Sequence, residues 1–287
     1  MHEVIGIATA HADVPLTRVS QLLGVGRTTI YRHQHARPPV AADVLLRDRI
    51  QQIALAMPAY GYRRITAQLH RDGVGVNHKR VLRLMREDNL LCWRTRQFVR
   101  TTDSEHSLPV YPNLVPSLHL TGLNQLWIAD ITYVRLRAEF IYLAVVLDAF
   151  SRRRIGWSLR RQLDTRLSLE ALRMAVAGRE VAPGLVHHSD RGVQYAAHAY
   201  TEMLNSAGIR ISMSRRANPD DNAQAESFMK TLKYEEVHIN EYETLEEARA
   251  SIGHFLEEVY NHKRLHSALG YRPPAEFEEL ITQPPPP

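Results

Sequence analysis

The chain has 287 residues, 44% hydrophobic and 23% charged, which gives room for two domains and at least one sizeable core. No apolar run approaches the ~20 residues that cross a bilayer, no basic-then-apolar leader opens the sequence, and the single Cys92 excludes an internal disulfide and a two-Cys, two-His zinc site, as suits a reducing cytosol. The net charge of +5 is uneven, with 16 Lys and Arg against 7 Asp and Glu in residues 1–100 but 20 against 24 in the rest, so the front end is expected to meet a polyanion.

In chain order, residues 15–34 predict two short helices about the turn Gly24-Val25-Gly26. Leu16, Val19, Leu22 and Leu23 share a helical face, and Val25 and Ile30 would close a small core. That is the helix-turn-helix pattern, in which Arg27, Thr28, Thr29 and Arg32 would face DNA phosphates or base edges. After Pro38-Pro39 a second unit begins with a helix over 43–57. Tyr60-Gly61-Tyr62-Arg63-Arg64 then leads into Ile65-Thr66-Ala67-Gln68-Leu69, and Asn77 stands where it can cap a helix over 78–89. That helix has Val81, Leu82, Leu84 and Met85 to bury. It leaves Lys79, Arg80, Arg83 and Arg86, with only Glu87 and Asp88 near enough in sequence to pair them. The four cations therefore read as phosphate contacts, which supply affinity and salt sensitivity rather than sequence choice.

Residues 101–123, with Pro109, Pro112 and Pro116 and few apolar side chains, read as a linker. Beyond it, strands are expected over 126–136, 140–150 and 152–159 as an antiparallel meander. A helix over 167–177, a buried strand over 184–189, a helix over 196–207, a strand over 209–214, and helices over 222–237 and 245–260 follow. The order predicts an α/β sheet with helices on both faces. The terminal four prolines end a Pro-rich tail, 281–287.

Three acids stand out in this body. Asp130 lies mid-strand among apolar residues, on the face of Ile128 and Thr132. Asp190 ends a strand at the sheet edge where α/β folds place ligands, and Glu226 follows 35 residues later in the next long helix. Each has an ordinary explanation: a salt bridge from Asp130 to Arg135 or Arg154, a turn cap at Asp190, a favourable dipole charge at Glu226. Taken together they suit an all-oxygen site for two Mg²⁺ or Mn²⁺ ions, roughly 3.5–4 Å apart, that drive phosphodiester chemistry. Lys233 falls two turns past Glu226 on the same face, and with Lys230 it could hold a DNA backbone beside the acids. His187 and His188 adjoin Asp190 without metal-ligand spacing and read as surface or supporting residues.

The runs Asp130-Ile131-Thr132-Tyr133, His188-Ser189-Asp190-Arg191-Gly192 and Asn218-Pro219-Asp220-Asp221-Asn222-Ala223 with Glu226-Ser227-Phe228 resemble the integrase-type core of bacterial insertion-sequence transposases. Tyr260-Asn261-His262-Lys263-Arg264-Leu265-His266-Ser267 resembles its closing signature, and residues 38–100 resemble the basic helical DNA-binding domain of the orfB type. The resemblance implies an RNase H-like core over 124–280, a mixed five-stranded sheet with flanking helices, preceded by an all-α segment over 1–37 of helix-turn-helix type. It implies Asp130, Asp190 and Glu226 as catalytic metal ligands, with DNA at element ends and target as substrate. It also implies assembly of several copies on DNA, an upstream orfA product as possible partner, and a bacterial cytoplasmic, nucleoid-associated location. Small departures stand at Val193, where Ser is usual, at Ala217, where Gly is usual, and at Asp220, where an aromatic is frequent.

Overall fold

The computed structural model describes residues 15–28, 30, 41–91, 108–215 and 218–283. Helix α1, Leu16–Leu23, ends at Gly24, whose left-handed φ of 62° and N–H bond to Ser20 O make the terminating turn. Arg27, Thr28 and Ile30 are helical again, and Val19 and Ile30 are buried as the apolar spacing predicts. Leu22 departs from that expectation: it is 69% exposed, because a helix of only two turns has one narrow face to bury and Val19 occupies it. Thr29 and Arg32 lie outside the described residues, as does Cys92.

A three-helix unit follows, α2 (Ala41–Ala56), α3 (Tyr62–Arg71) and α4 (His78–Glu87). Asn77 caps α4, its side chain accepting the Lys79 N–H at 2.8 Å. Ile50, Ile65, Leu69, Val81, Leu84 and Met85 form its core, while Leu82 is only half-buried. The same core takes in Leu265 from the far end of the chain, and the Leu265 N–H donates to the Tyr60 hydroxyl at 2.8 Å. Arg71 adds a two-pronged bond to Glu276 (2.9 and 2.5 Å), so the helical unit is docked on the body. Residues 108–123 lie along the body too. Leu114, Val115, Leu118 and Leu120 pack on its core, and the Leu114 N–H donates to Ser212 Oγ at 2.9 Å.

The body is built on strands β1 (Leu126–Arg135), β2 (Phe140–Asp148), β3 (Arg154–Arg160), β4 (Val186–Ser189) and β5 (Arg210–Met213), in the order β3-β2-β1-β4-β5. The first three form the antiparallel meander, and β4 and β5 add parallel pairing. Period-two alternation divides the sheet between two cores. Ile128, Leu143 and Val145 face α7 (Ala223–Leu232) and α8 (Leu245–His254). Trp127, Ala129, Ala144 and Val146 face α5 (Thr165–Gly178) and α6 (His198–Ser206). Gly156 sets the α5 spacing: a Cβ there would lie 2.1 Å from Ala171 O, so even Gly156→Ala would push the helix off the sheet.

Several boundaries move from their predicted places. β3 starts at Arg154 rather than at 152, because Arg152 has a left-handed φ of 59° and belongs to the turn. The helix expected over 196–207 is preceded by a separate turn, Val193–Ala196, and the one expected over 222–237 continues past Leu232 as a π-turn, Lys233–Val237. The last long helix likewise widens into π geometry over Phe255–Lys263. A further helix, α9 (Pro274–Thr282), has no counterpart in the periodicity reading, since its buried face includes the charged Glu278. Among the described residues no helix is long and apolar enough to cross a membrane.

Candidate active site

Parallel pairing of β1 with β4 sets Ile128 abreast of His188; two residues further on stand Asp130, still within β1, and Asp190, one residue past the end of β4. α7 packs on β1 and carries Glu226 in its first turn, where the helix dipole favours a negative charge. The three acids are thus brought to one edge of the sheet. They feel one another there: burial first, then the charge of Asp190, and further that of Glu226, push the Asp130 carboxyl up to about 8. The alternative partners do not reach Asp130, since none of the ion pairs among the described residues includes it and Arg154 lies 3.8 Å from Glu257 instead.

Each acid also has a local bond. Asp130 Oδ1 accepts the Ile131 N–H (2.9 Å), Asp190 Oδ1 accepts the Gly192 N–H (2.9 Å), and Glu226 Oε2 lies 3.9 Å from the Lys230 ammonium. The predicted turn cap at Asp190 and helix charge at Glu226 are therefore real features that coexist with the cluster. The carboxylates do not close into a finished cage, for among the described residues no group of three His, Cys, Asp or Glu side chains stands at metal-holding separation. The donor set nevertheless fits a hard divalent cation: it is all carboxylate, it has a charge deficit that Asp130 registers, and a buried Asn222 Oδ1 beside it has no hydrogen-bond partner among the described residues.

Asn222 precedes the first residue of α7. In the structure its side chain makes no cap bond, and its Nδ2 donates to Ala129 O, next to Asp130, at 3.4 Å. Tyr195 gave no signal at all. Its hydroxyl is buried without a partner among the described residues, and its phenol is pushed well up by burial, by Tyr200, and by Asp130 and Asp190. His187 and His188 are not surface residues. His188 bonds Ser212 Oγ (2.8 Å) and Ser214 Oγ (3.1 Å), tying β4 to β5, while His187 shares a 3.0 Å bond with the Tyr200 hydroxyl. Burial holds both imidazoles neutral, at about 3 for His187 and about 4 for His188.

Lys233 lies over the Tyr133 ring at 4.4 Å and is electrostatically coupled to Asp130, whereas Lys230 is exposed. The other predicted DNA contacts are spread over the helical unit and do not join this site. Arg27, Thr28, Arg63, Lys79 and Arg86 are exposed. Arg64 stacks near the Tyr60 ring at 5.6 Å and lies 3.8 Å from Glu235, so it serves the joint to the body. Arg80 and Arg83 do have an acid after all: Asp43, from α2, takes bonds from both, at 2.5 and 3.4 Å. Glu87 also accepts a bond from Arg83 at 3.1 Å, one turn along α4, and both Glu87 and Asp88 are engaged by Arg47.

The family models that match the chain agree with this architecture. Family models described as "Integrase core domain" match residues 121–219 and 207–274, and an "HTH-like domain" matches 41–98. The "Insertion element IS600 uncharacterized 31 kDa protein" of Shigella sonnei is 36% identical over 92% of this chain and 98% of its own length. The transposase for insertion sequence element IS904 of Lactococcus lactis is 38% identical over 77% of this chain and 87% of its own. Transposase InsF for insertion sequence IS3A of Escherichia coli is 33% identical over 93% and 95%. Among solved structures, a simian T-cell lymphotropic virus intasome in complex with a PP2A regulatory subunit aligns at 17% identity and a TM-score of 0.46, over 83% of this chain and 77% of that one. With an integrase core, an HTH-like domain and relatives matched over nearly their whole length, the chain belongs to the family of insertion-sequence transposases.

Proposed function

We propose that the chain binds the ends of its insertion sequence, cuts the DNA to free 3′-hydroxyls and transfers them to target DNA. Asp130, Asp190 and Glu226 are the residues that hold two divalent cations, Mg²⁺ or Mn²⁺. When bound, such a pair supplies Lewis-acid stabilisation of both the attacking and the leaving oxygen of an in-line displacement. The observation that carries this reading is the convergence of three carboxylates, from β1, β4 and α7, with no guanidinium paired to Asp130 among the described residues. A structural cluster would be balanced by bases, whereas a cation site is balanced by its ligand.

The other groups position DNA. Lys233, held by the Tyr133 ring, and Lys230, one turn earlier on α7, present ammonium groups beside the acids for the phosphate backbone. Arg27, Thr28, Thr29 and Arg32 of the first segment and Arg63, Arg64, Lys79, Arg80, Arg83 and Arg86 of the helical unit supply further DNA contacts, those of Arg80 and Arg83 shared with Asp43. Two ends must be joined in one event, so the working form is a multimer assembled on DNA in the bacterial cytoplasm, and an upstream orfA product is a candidate partner.

The test is Mg²⁺-dependent nicking and joining of oligonucleotides that carry the element's own ends. The wild type should nick and join; Glu226→Gln should lose about a thousandfold or more of both while still binding the ends. Undiminished turnover by Glu226→Gln, or by the wild type in chelator, would remove the assignment.

A further inference from the structure

A cleft lies not at the three acids but beside them, on the neighbouring face of α7. It measures about 110 Å³, room for three or four waters at about 30 Å³ each, or for one tetrahedral oxyanion. One wall is α7, through Gln224, Ser227 and Thr231, the residues that turn away from Glu226. The other wall combines Arg152, Arg264 and His266 with Arg64 of the helical unit. Its acid, Asp148, is occupied: its oxygens accept the N–H groups of Asn124, Phe150 and Ser151 at 2.7–2.9 Å. Arg264 is nearly buried and gives two 2.7 Å bonds to Glu235, which also faces Arg64.

Arg152 is different. It opens a run of three arginines, of which Arg153 bonds Glu278 at 2.6 Å and Arg154 lies 3.8 Å from Glu257. Arg152 makes no ion pair among the described residues. It also occupies a left-handed backbone position, φ 59°, that Gly or Asn would fill with less strain. A strained arginine whose charge is unpaired, facing a cleft of hydroxyl, amide and guanidinium groups, fits an oxyanion supplied from outside.

We propose that this cleft seats one backbone phosphodiester of the DNA that lies across Asp130, Asp190 and Glu226, with Arg152 as its principal cation and Ser227 and Gln224 as neutral donors. The assignment rests on the functional reading above. Asp148 pairs with Trp127, three residues along β1 from Asp130, or roughly 10 Å. At 3.4 Å rise per nucleotide the seated phosphate lies roughly two to four nucleotides from the scissile one.

The test is binding of the full chain, in chelator so that no cleavage intervenes, to end-sequence duplexes with one methylphosphonate at each successive position. The wild type should lose about tenfold in affinity at one or two adjacent positions in that window, the size of one charge-assisted contact. Arg152→Gln should lose about as much on the unmodified duplex and become indifferent to those same positions. Arg152→Gly, which suits the backbone, should repeat the result if the Gln variant folds poorly. Losses from Arg152→Gly and from every methylphosphonate that simply add, with duplex binding intact, overturn the seat and leave the transposase reading standing. A wild type that does not bind the duplex overturns both.

Discussion

Two acidic side chains of the molecule, Glu278 and Asp130, are treated in opposite ways. Glu278, 5% exposed, accepts bonds from Ser151 Oγ (2.6 Å), Arg153 (2.6 Å) and Arg179 (2.7 and 2.9 Å), so its charge is answered from every side. Asp130 has a single backbone N–H from its own neighbour and feels two further acids, with the charge of Lys233 acting to lower it. The first cluster is complete within the chain and pins α9 to β3 and α5. In the second, no ion pair among the described residues includes Asp130. Balance marks a structural charge and imbalance a working one.

The sharpest way to break this contrast is to truncate the balanced acid. Glu278→Ala leaves Arg153 and Arg179 facing each other without a counter-charge and should lower unfolding free energy by about 3–5 kcal/mol in urea titrations. A loss below about 1 kcal/mol would mean the network contributes little.

The unbalanced acid should respond with the opposite sign. Because Asp130 is raised to about 8 in the folded chain, the native state keeps a proton that the unfolded chain sheds near pH 4. Stability therefore falls as pH rises from about 4 to about 8. Asp130→Asn should remove that slope and stabilise the chain at pH 8 by about 1–3 kcal/mol in chelator, at the expense of strand cleavage. Destabilisation by this variant would show that the acid is held by contacts rather than strained by its neighbours.

A third kind of burial, neutral from the start, can be separated on the Asp130→Asn background. His187, His188 and His266 are held at about 3, about 4 and about 2, the first two chiefly by burial and the last by burial and then by Arg264, Arg64 and Arg152. Unfolding lets all three take up protons below about 6.5, so stability is present above that pH and is lost as pH falls from about 6.5 towards about 4. A loss of about 3 kcal/mol between pH 6.5 and 5.5 is expected, about 1 kcal/mol for each imidazole. A flat profile would mean the imidazoles are not buried neutral.

The smallest effect should come from a pair that is neither buried nor crowded. Arg137 and Glu243 meet at 3.3 Å with side chains 82% and 71% exposed, and Arg137→Ala should change stability by less than about 0.5 kcal/mol. A larger change would put exposed charges on a footing with buried ones and blunt the comparison.

Much of the architecture was legible because it is local. Strand and helix periods placed β1, β2, α5, α7 and the capping Asn77 within a few residues, and three isolated acids on those elements pointed to one chemistry. The pairing of charges was not legible in the same way. Arg80 read as an open cation because its acid, Asp43, lies 37 residues away on another helix; Arg83 does meet Glu87 one turn along α4, and its second acid is the same Asp43, 40 residues away. Helix α9 escaped because its buried face is built on Glu278, whose partners lie 99 to 127 residues away.

By itself, then, the sequence determined most of the helices and strands, α9 excepted, and that Asp130 and Glu226 stand on two of them with Asp190 just past the end of a third. Those properties depend on backbone geometry between residues one to four apart. Only the tertiary structure decided which charges meet, that Tyr60 and Leu265 join the helical unit to the body, and that Arg152 opens onto a cleft beside α7. Coulomb attraction and the penalty of removing a charge from water act through space, over distances that chain order does not record.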